Sequence, residues 1–118
     1  MPHMLLIHEP VGQRATRSET EGRAVYERML RWGEELKSRG LLLAAESLAS
    51  QEHAVRVSAP GGRPRLVDGP FAEAKEMVGG FFLVDVGTRE EAIALARGCP
   101  AAEWATVEVR ALVPCFER

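Results

Sequence analysis

Met4 to His8 (MLLIH) is a short apolar run closed by Pro10 and Gly12, a pattern that predicts a buried strand. A polar loop, VGQRATR, follows. Ser18 then stands three residues before Glu21, the spacing of a capping box at a helix start. From there Val25, Met29, Trp32 and Leu36 recur at steps of four, three and four, which predicts a helix with one core-facing stripe. Glu27 with Arg31 and Glu35 with Arg39 are i,i+4 pairs in the favourable order on its exposed faces, and Gly40 is its stop.

Leu41 to Leu48 reads as a second strand by its length and flanks. His53 to Ser58 alternates Val55 and Val57 around Arg56, the pattern of a half-buried strand. APGGRP is a hairpin turn, and RLVDG is a short returning strand ending at Gly69. Pro70 opens a single helical turn through Met77, which Gly79 and Gly80 break, and Phe81 to Val86 is the next strand. Thr88 and Glu91 repeat the capping box, with Ala92, Leu95 and Ala96 on one helical face and Gly98 with Pro100 at the end. Val107, Val109 and Ala111 alternate with Glu108 and Arg110 in a last strand.

The order is β-α-β-β-α-β with an extra central hairpin strand, a ferredoxin-like α+β domain over residues 1–118. Two helices can cover only one face of such a sheet. The other face keeps enough apolar residues to call for a partner, which favours a homodimer.

Composition narrows the function classes without naming one. The chain has 118 residues, room for one ordinary domain, and its 46% apolar and 27% charged residues are those of an average globular protein. A net charge of −2 supplies no basic field for direct nucleic-acid binding. Cys99 and Cys115, the only cysteines, form neither a CxxC nor a disulfide framework, which points to a reducing cytoplasm. No apolar stretch approaches the ~20 residues that span a bilayer, and MPHMLLIHEP lacks the cationic region of a signal peptide.

The stretch DGPFAEAKEMVGGFFLVD, residues 68–85, closely resembles the signature of the DGPF proteins, a branch of the YCII-related family. MLLIH resembles the family's first strand, GLLLAAESL its second, ALARGCPAA its second helix and VEVRAL its closing strand. The resemblance implies a ferredoxin-like fold that pairs sheet against sheet into a dimeric α/β barrel. It also implies a functional link, in many members, to an extracytoplasmic-function sigma factor. Some YCII relatives are enzymes, among them a dehydrochlorinase of chlorinated aromatic diols. Those enzymes are associated with a His in the first helix and an Asp before a proline after the second. Here the first helix has no histidine and the second position reads Cys99-Pro100, so the dyad is missing from both places.

Candidate chemistry therefore comes from other residues. Asp68, at a strand end beside a barrel mouth, is either a general base or ligand-binding group, or a cap on the Gly69-Pro70 turn. Glu46 shares the parity of Leu42, Ala44 and Leu48, and is either paired with a cross-strand arginine or lining a pocket. His8, on the parity of Met4 and Leu6, points toward the same interior as Glu46, as an acid/base group or as a hydrogen-bonded packing residue. Within the signature, Gly69, Pro70, Phe71, Glu73, Lys75 and Phe81 are ligand-binding or loop-organising positions. The recurrence of Glu73, Lys75 and Glu76 in that signature implies fixed pairings that hold the loop over a pocket; Lys75 can alternatively meet an anion.

His3 and His53 share no HxH or HxxxH spacing with His8, so no metal site is expected. Cys99, at a helix C-terminus, reads as structural, and Gly61-Gly62 and Gly79-Gly80 read as turns. Trp32 is a core residue, whereas Trp104 suits a pocket rim or an interface as well as simple burial. The expected function is small-molecule binding, with lyase- or isomerase-like chemistry by Asp68, Glu46 and His8 and no cofactor. The alternatives are a non-catalytic ligand-binding or regulatory accessory protein and an interaction module without a pocket.

Overall fold

In the computed structural model, which describes residues 1–118, the chain runs β1 (Pro2–Pro10), α1 (Glu19–Ser38), β2 (Leu42–Ser47), β3 (Val55–Ser58), β4 (Arg65–Asp68), β5 (Glu76–Asp85), α2 (Arg89–Arg97) and β6 (Thr106–Ala111). Four strands form an antiparallel sheet in the order β2-β5-β1-β6. That order is ferredoxin-like. β3 and β4 pair only with each other, so the central hairpin is a separate two-stranded ribbon and adds no strand to the main sheet.

Both helix starts form where the capping residues stand. Ser18 Oγ accepts from the Glu21 amide (3.1 Å) and Glu21 Oε1 accepts from the Ser18 amide (3.0 Å), closing the capping box of α1. At α2, Thr88 Oγ1 accepts from the Glu91 amide (3.1 Å), but the Glu91 carboxylate turns to the Gly87 amide instead (3.2 Å). Gly40 ends the α1 turn with φ +70°, a conformation that glycine adopts without Cβ strain.

Three of the four α1 stripe residues pack on the core, and the fourth, Val25, lines a cleft instead. Leu36 is 1% exposed, and Met29 and Trp32 lie against the core formed by Leu5, Phe82, Val84, Val86, Ala92 and Ala96. Trp32 meets the edge of Phe82 at 4.9 Å and 77°, a T-shaped pair. Along β1 burial alternates strictly: His3, Leu5, Ile7 and Glu9 are buried on the helix side, and Met4, Leu6 and His8 are half-buried on the other.

That second face has no helix over it. The molecule measures 45 × 43 × 18 Å with a radius of gyration of 16.0 Å, against roughly 13.5 Å for a compact domain of this length. One helix layer on one sheet, with the hairpin projecting, gives this slab shape. No helix is long and apolar enough to cross a membrane.

The segment between the hairpin and β5 departs from expectation. Residues 70–77 form no helical turn: the Ala74 amide closes one turn onto the Phe71 carbonyl (3.0 Å), and β5 begins at Glu76. Gly79 and Gly80 are not a turn either. They lie buried inside β5, where the register against β1 slips from Ile7–Gly80 to His8–Val78 and leaves Gly79 as a bulge. β5 is a central strand with ladders on both sides, and those hydrogen bonds hold two residues of poor strand propensity in extended form.

Candidate functional site

Between α1 and the helix side of the sheet runs a cleft of about 510 Å³. Its floor is Ile7 of β1, Leu42 and Ala45 of β2, and Gly80 and Phe82 of β5; its wall is the α1 face that carries Val25, Met29, Leu30 and Gly33. Small residues make the space. A Cβ on Gly33 would stand 3.4 Å from Phe82 Cε1, and one on Gly80 would stand 2.8 Å from the Glu46 carbonyl oxygen, so backbone replaces side chain at both surfaces.

One end of the cleft is charged. The β1 alternation carries Glu9 to the helix side one step beyond Ile7, leaving its side chain 10% exposed. Arg14, in the 3-10 turn Gln13–Thr16, meets it with two hydrogen bonds: Nε donates to Oε2 (2.9 Å) and Nη2 to Oε1 (2.8 Å). Nη2 also reaches the Gly79 carbonyl at 3.4 Å. The fork satisfies both carboxylate oxygens, the condition under which a buried ion pair is tolerated. A side chain at Gly79 would overlap the Glu9 carboxylate, so the bulge glycine makes this pair sterically possible.

Trp104 closes the same end. The Gln13 amide Nε2 donates to its carbonyl (2.8 Å), while Gln13 Oε1 is buried without a partner. Two guanidiniums approach the Trp104 ring, Arg17 at 5.8 Å and Arg28 at 5.3 Å from its centroid. Arg28 is committed to Glu103 (2.6 and 3.3 Å); their hydrogen bond lowers the carboxyl pKa and raises that of the guanidinium. Arg17 forms no salt bridge within 4.0 Å. Trp104 therefore stands at the cleft, the pocket-rim place that its loop position allowed.

The residues singled out in the sequence are distributed differently. Asp68 is exposed at the end of β4, opposite Val55 and outside the cleft. Its carboxyl does not cap the turn: the Gly69 amide donates to the Ala54 carbonyl (2.8 Å), and Gly69 approaches the Gln51 backbone too closely for a Cβ. Glu73, Lys75 and Glu76 are exposed and form no ion pairs, so fixed pairings do not hold the loop. What anchors it is Phe71, 7% exposed beneath the Arg56 guanidinium (3.6 Å), and the Val11 amide donating to the Lys75 carbonyl (2.9 Å). Pro70 is exposed beside a smaller hollow next to Gln51 and Met77.

Glu46 and His8 do share a face, but it is the open face of the sheet, and Glu46 parts there from Leu42, because the register of β2 against β5 shifts between Leu42 and Ala44. Glu46 and Phe81 nevertheless border the cleft at its β2–β5 edge. Glu46 is opposite Phe81, and Phe81 is opposite Leu6. Glu46 is exposed and has no cross-strand arginine, because β5, the only strand beside β2, places Phe81 opposite it. His8 Nε2 lies 2.6 Å from Glu108 Oε1 on β6. His3, on the other face, is buried with Nδ1 3.0 Å from the Met1 carbonyl oxygen. Cys99 is buried, and desolvation pushes its thiol up to about 11.

Sequence reasoning missed Glu9, Arg14 and Gly79. Two signals were available: Glu9 continues the parity of Leu5 and Ile7, and a glycine inside a strand pattern marks a bulge or a close approach.

The YCII-related domain model matches residues 1–115 of the chain. No curated protein matches it significantly.

Proposed function

The chain belongs to the YCII-related family, and we propose that it is a small-molecule-binding member of the DGPF branch whose ligand lies in the cleft between α1 and the sheet. The observation that carries this reading is the cleft itself: about 510 Å³ of mainly apolar space ending in the Glu9–Arg14 pair. Apolar walls with a few fixed polar groups at one end are the composition of a ligand site. Glu9 has both oxygens engaged by Arg14, which suits it to orienting a ligand better than to taking a proton from one. Binding without turnover is the simplest use of such a site and fits an accessory role beside a sigma factor.

Nile red, an uncharged dye that brightens in apolar surroundings, tests the site. Its fluorescence should rise with the wild type and fall at least about fivefold when Gly22→Trp fills the cleft, since no atom lies within 4 Å of a Cβ there. Equal fluorescence from both proteins would place the dye elsewhere and sink this reading.

The open face favours two further proposals. Met4, Leu6, Phe81 and Leu83 lie on it only partly buried, so a second copy packed sheet against sheet would remove them from water. Light scattering at micromolar concentration should give the mass of a homodimer, and Leu6→Glu should give a monomer. The pair of His8 Nε2 with Glu108 Oε1 at 2.6 Å supports a catalytic second reading, in which an acid/base histidine is oriented by a carboxylate and enclosed only in the dimer. Turnover of any substrate that disappears in His8→Gln but survives in Gly22→Trp would place chemistry on that face.

A further inference from the structure

The charges at the two ends of the cleft do not balance equally, and the imbalance describes the ligand. Building on the reading of the cleft as a ligand site, we propose that its occupant is an elongated apolar carboxylate, with the carboxylate at Arg17 and the apolar body lying along α1 toward Lys37.

The length comes from the helix. Cleft-lining residues follow one face of α1 from Gly22 through Val25, Met29 and Gly33 to Lys37, a distance of about 22 Å at the α-helical rise. A groove of that proportion, floored by Leu42 and Phe82, matches a chain or a row of rings better than a compact polar metabolite.

The sign of the charge comes from pairing. At the Trp104 end, Arg14 is offset by Glu9 and Arg28 by Glu103. Arg17 lines the cleft half-buried and is left without a salt bridge. Glu21 feels its charge, but the Glu21 carboxyl is already held by Ser18. A partly desolvated guanidinium gains most from a carboxylate, which it can meet with two parallel hydrogen bonds, and the neighbouring Trp104 ring limits its orientations. At the far end Glu34 and Lys37 bring opposite charges three residues apart, so that end carries no net charge. The remaining acid at the cleft border, Glu46, belongs by register to the open face of the sheet, opposite Phe81, and forms no salt bridge with Arg17.

Gly22 supplies an independent indication. Glycine inside a helix is disfavoured relative to alanine. Here its φ is not positive, and no protein atom lies within 4 Å of where its Cβ would stand. Nothing in the protein requires a glycine, yet it borders the same cleft as Arg17. The space above it is room for the ligand's head.

Displacement of Nile red from the full-length protein by dodecanoate and by 1-dodecanol, both below micellar concentration, separates charge from apolarity. Dodecanoate should act at concentrations at least about tenfold lower than the alcohol, the strength of one charge-assisted contact. In Arg17→Gln that preference should shrink to about threefold or less with thermal stability unchanged, and in Lys37→Gln it should persist. Gly22→Leu should weaken both compounds without lowering stability. Equal potency of acid and alcohol on the wild type, or a preference lost in Lys37→Gln in place of Arg17→Gln, overturns the proposal and leaves the cleft reading standing. If neither compound displaces a dye that Gly22→Trp does exclude, the elongated ligand is refuted alone. If Gly22→Trp leaves the dye bound, the cleft reading falls and this inference with it.

Discussion

Gly79 and Glu9 share one volume: the Glu9 carboxylate occupies the place where a side chain on residue 79 would stand. The bulge in β5 and the ion pair at the end of the cleft are thus a single device. The extra residue turns a bare backbone toward β1, and the carboxylate, held by Arg14, lies across it. Gly79→Ala should expel the carboxylate, break the fork and cost about 1–3 kcal/mol in urea unfolding, the range for overpacking a filled site. Unchanged stability would mean that Glu9 moves aside freely and that the pair is no fixed part of the site.

Leu36 and Met29 stand on the same stripe of α1 but should respond differently to truncation. Leu36 is 1% exposed and sealed in the core, so Leu36→Ala should cost about 3–5 kcal/mol. Met29 borders the cleft, and removing its side chain enlarges a space that already exists. Met29→Ala should cost about 2 kcal/mol or less in the same assay and loosen dye binding. Equal costs would show that the cleft closes over Met29 in solution.

The contrast between these two residues also marks how far the sequence could be read. Periodicity located the stripe, the capping residues Ser18 and Thr88 located both helix starts, and β1 parity located the two faces of the sheet. Each depends on short-range pattern. Residues 70–80 escaped because their conformation is set by partners distant in sequence: the Val11 amide, the Gln51 backbone and the Glu9 carboxylate. Propensity read Gly79-Gly80 as a break where two flanking ladders impose a strand. The candidate site escaped for the same reason. Its polar end joins Glu9, Arg14, Gly79 and Trp104, which no motif links, whereas Asp68, prominent in the signature, lies outside it.

Acid should weaken the fold through two identified carboxyls. Hydrogen bonds from Ser18 lower the pKa of Glu21, and the hydrogen bond from Arg28 lowers that of Glu103. Because both folded values lie below the unfolded ones, the unfolded chain takes up protons first as pH falls. Their stabilisation is therefore complete above about pH 4.5 and is lost as pH drops through the depressed folded values. Glu103→Gln should flatten the acid side of a melting-temperature profile between pH 5 and pH 2.5 relative to the wild type. A profile parallel to the wild type would assign the loss to other groups. Both residues are exposed, so added salt should shrink the Glu103 effect.

The cysteines should separate by rate. Cys115 is exposed, while Cys99 is buried with its thiol pushed up to about 11, so almost none of it is thiolate at pH 8. Ellman's reagent should label one thiol per chain quickly in the native protein and the second only on unfolding. Cys115→Ser should remove the fast phase. Two fast thiols in the native wild type would show that the α2 end of the core opens readily.

The β3–β4 ribbon joins the body only at its base. The Gly69–Ala54 hydrogen bond closes it, Phe71 pins the segment that follows, and the Lys75–Val11 bond has set the chain's position before β5 begins. Nothing in the register of β5 against β1 or β2 depends on the ribbon's own length or sequence. Natural variation is therefore free to lengthen, recolour or delete the tip at Pro60–Gly62 while the cleft between α1 and the sheet, which no ribbon residue lines, stays as it is. Two parts of one small chain can diversify independently, one as a surface to be met and the other as a volume to be filled.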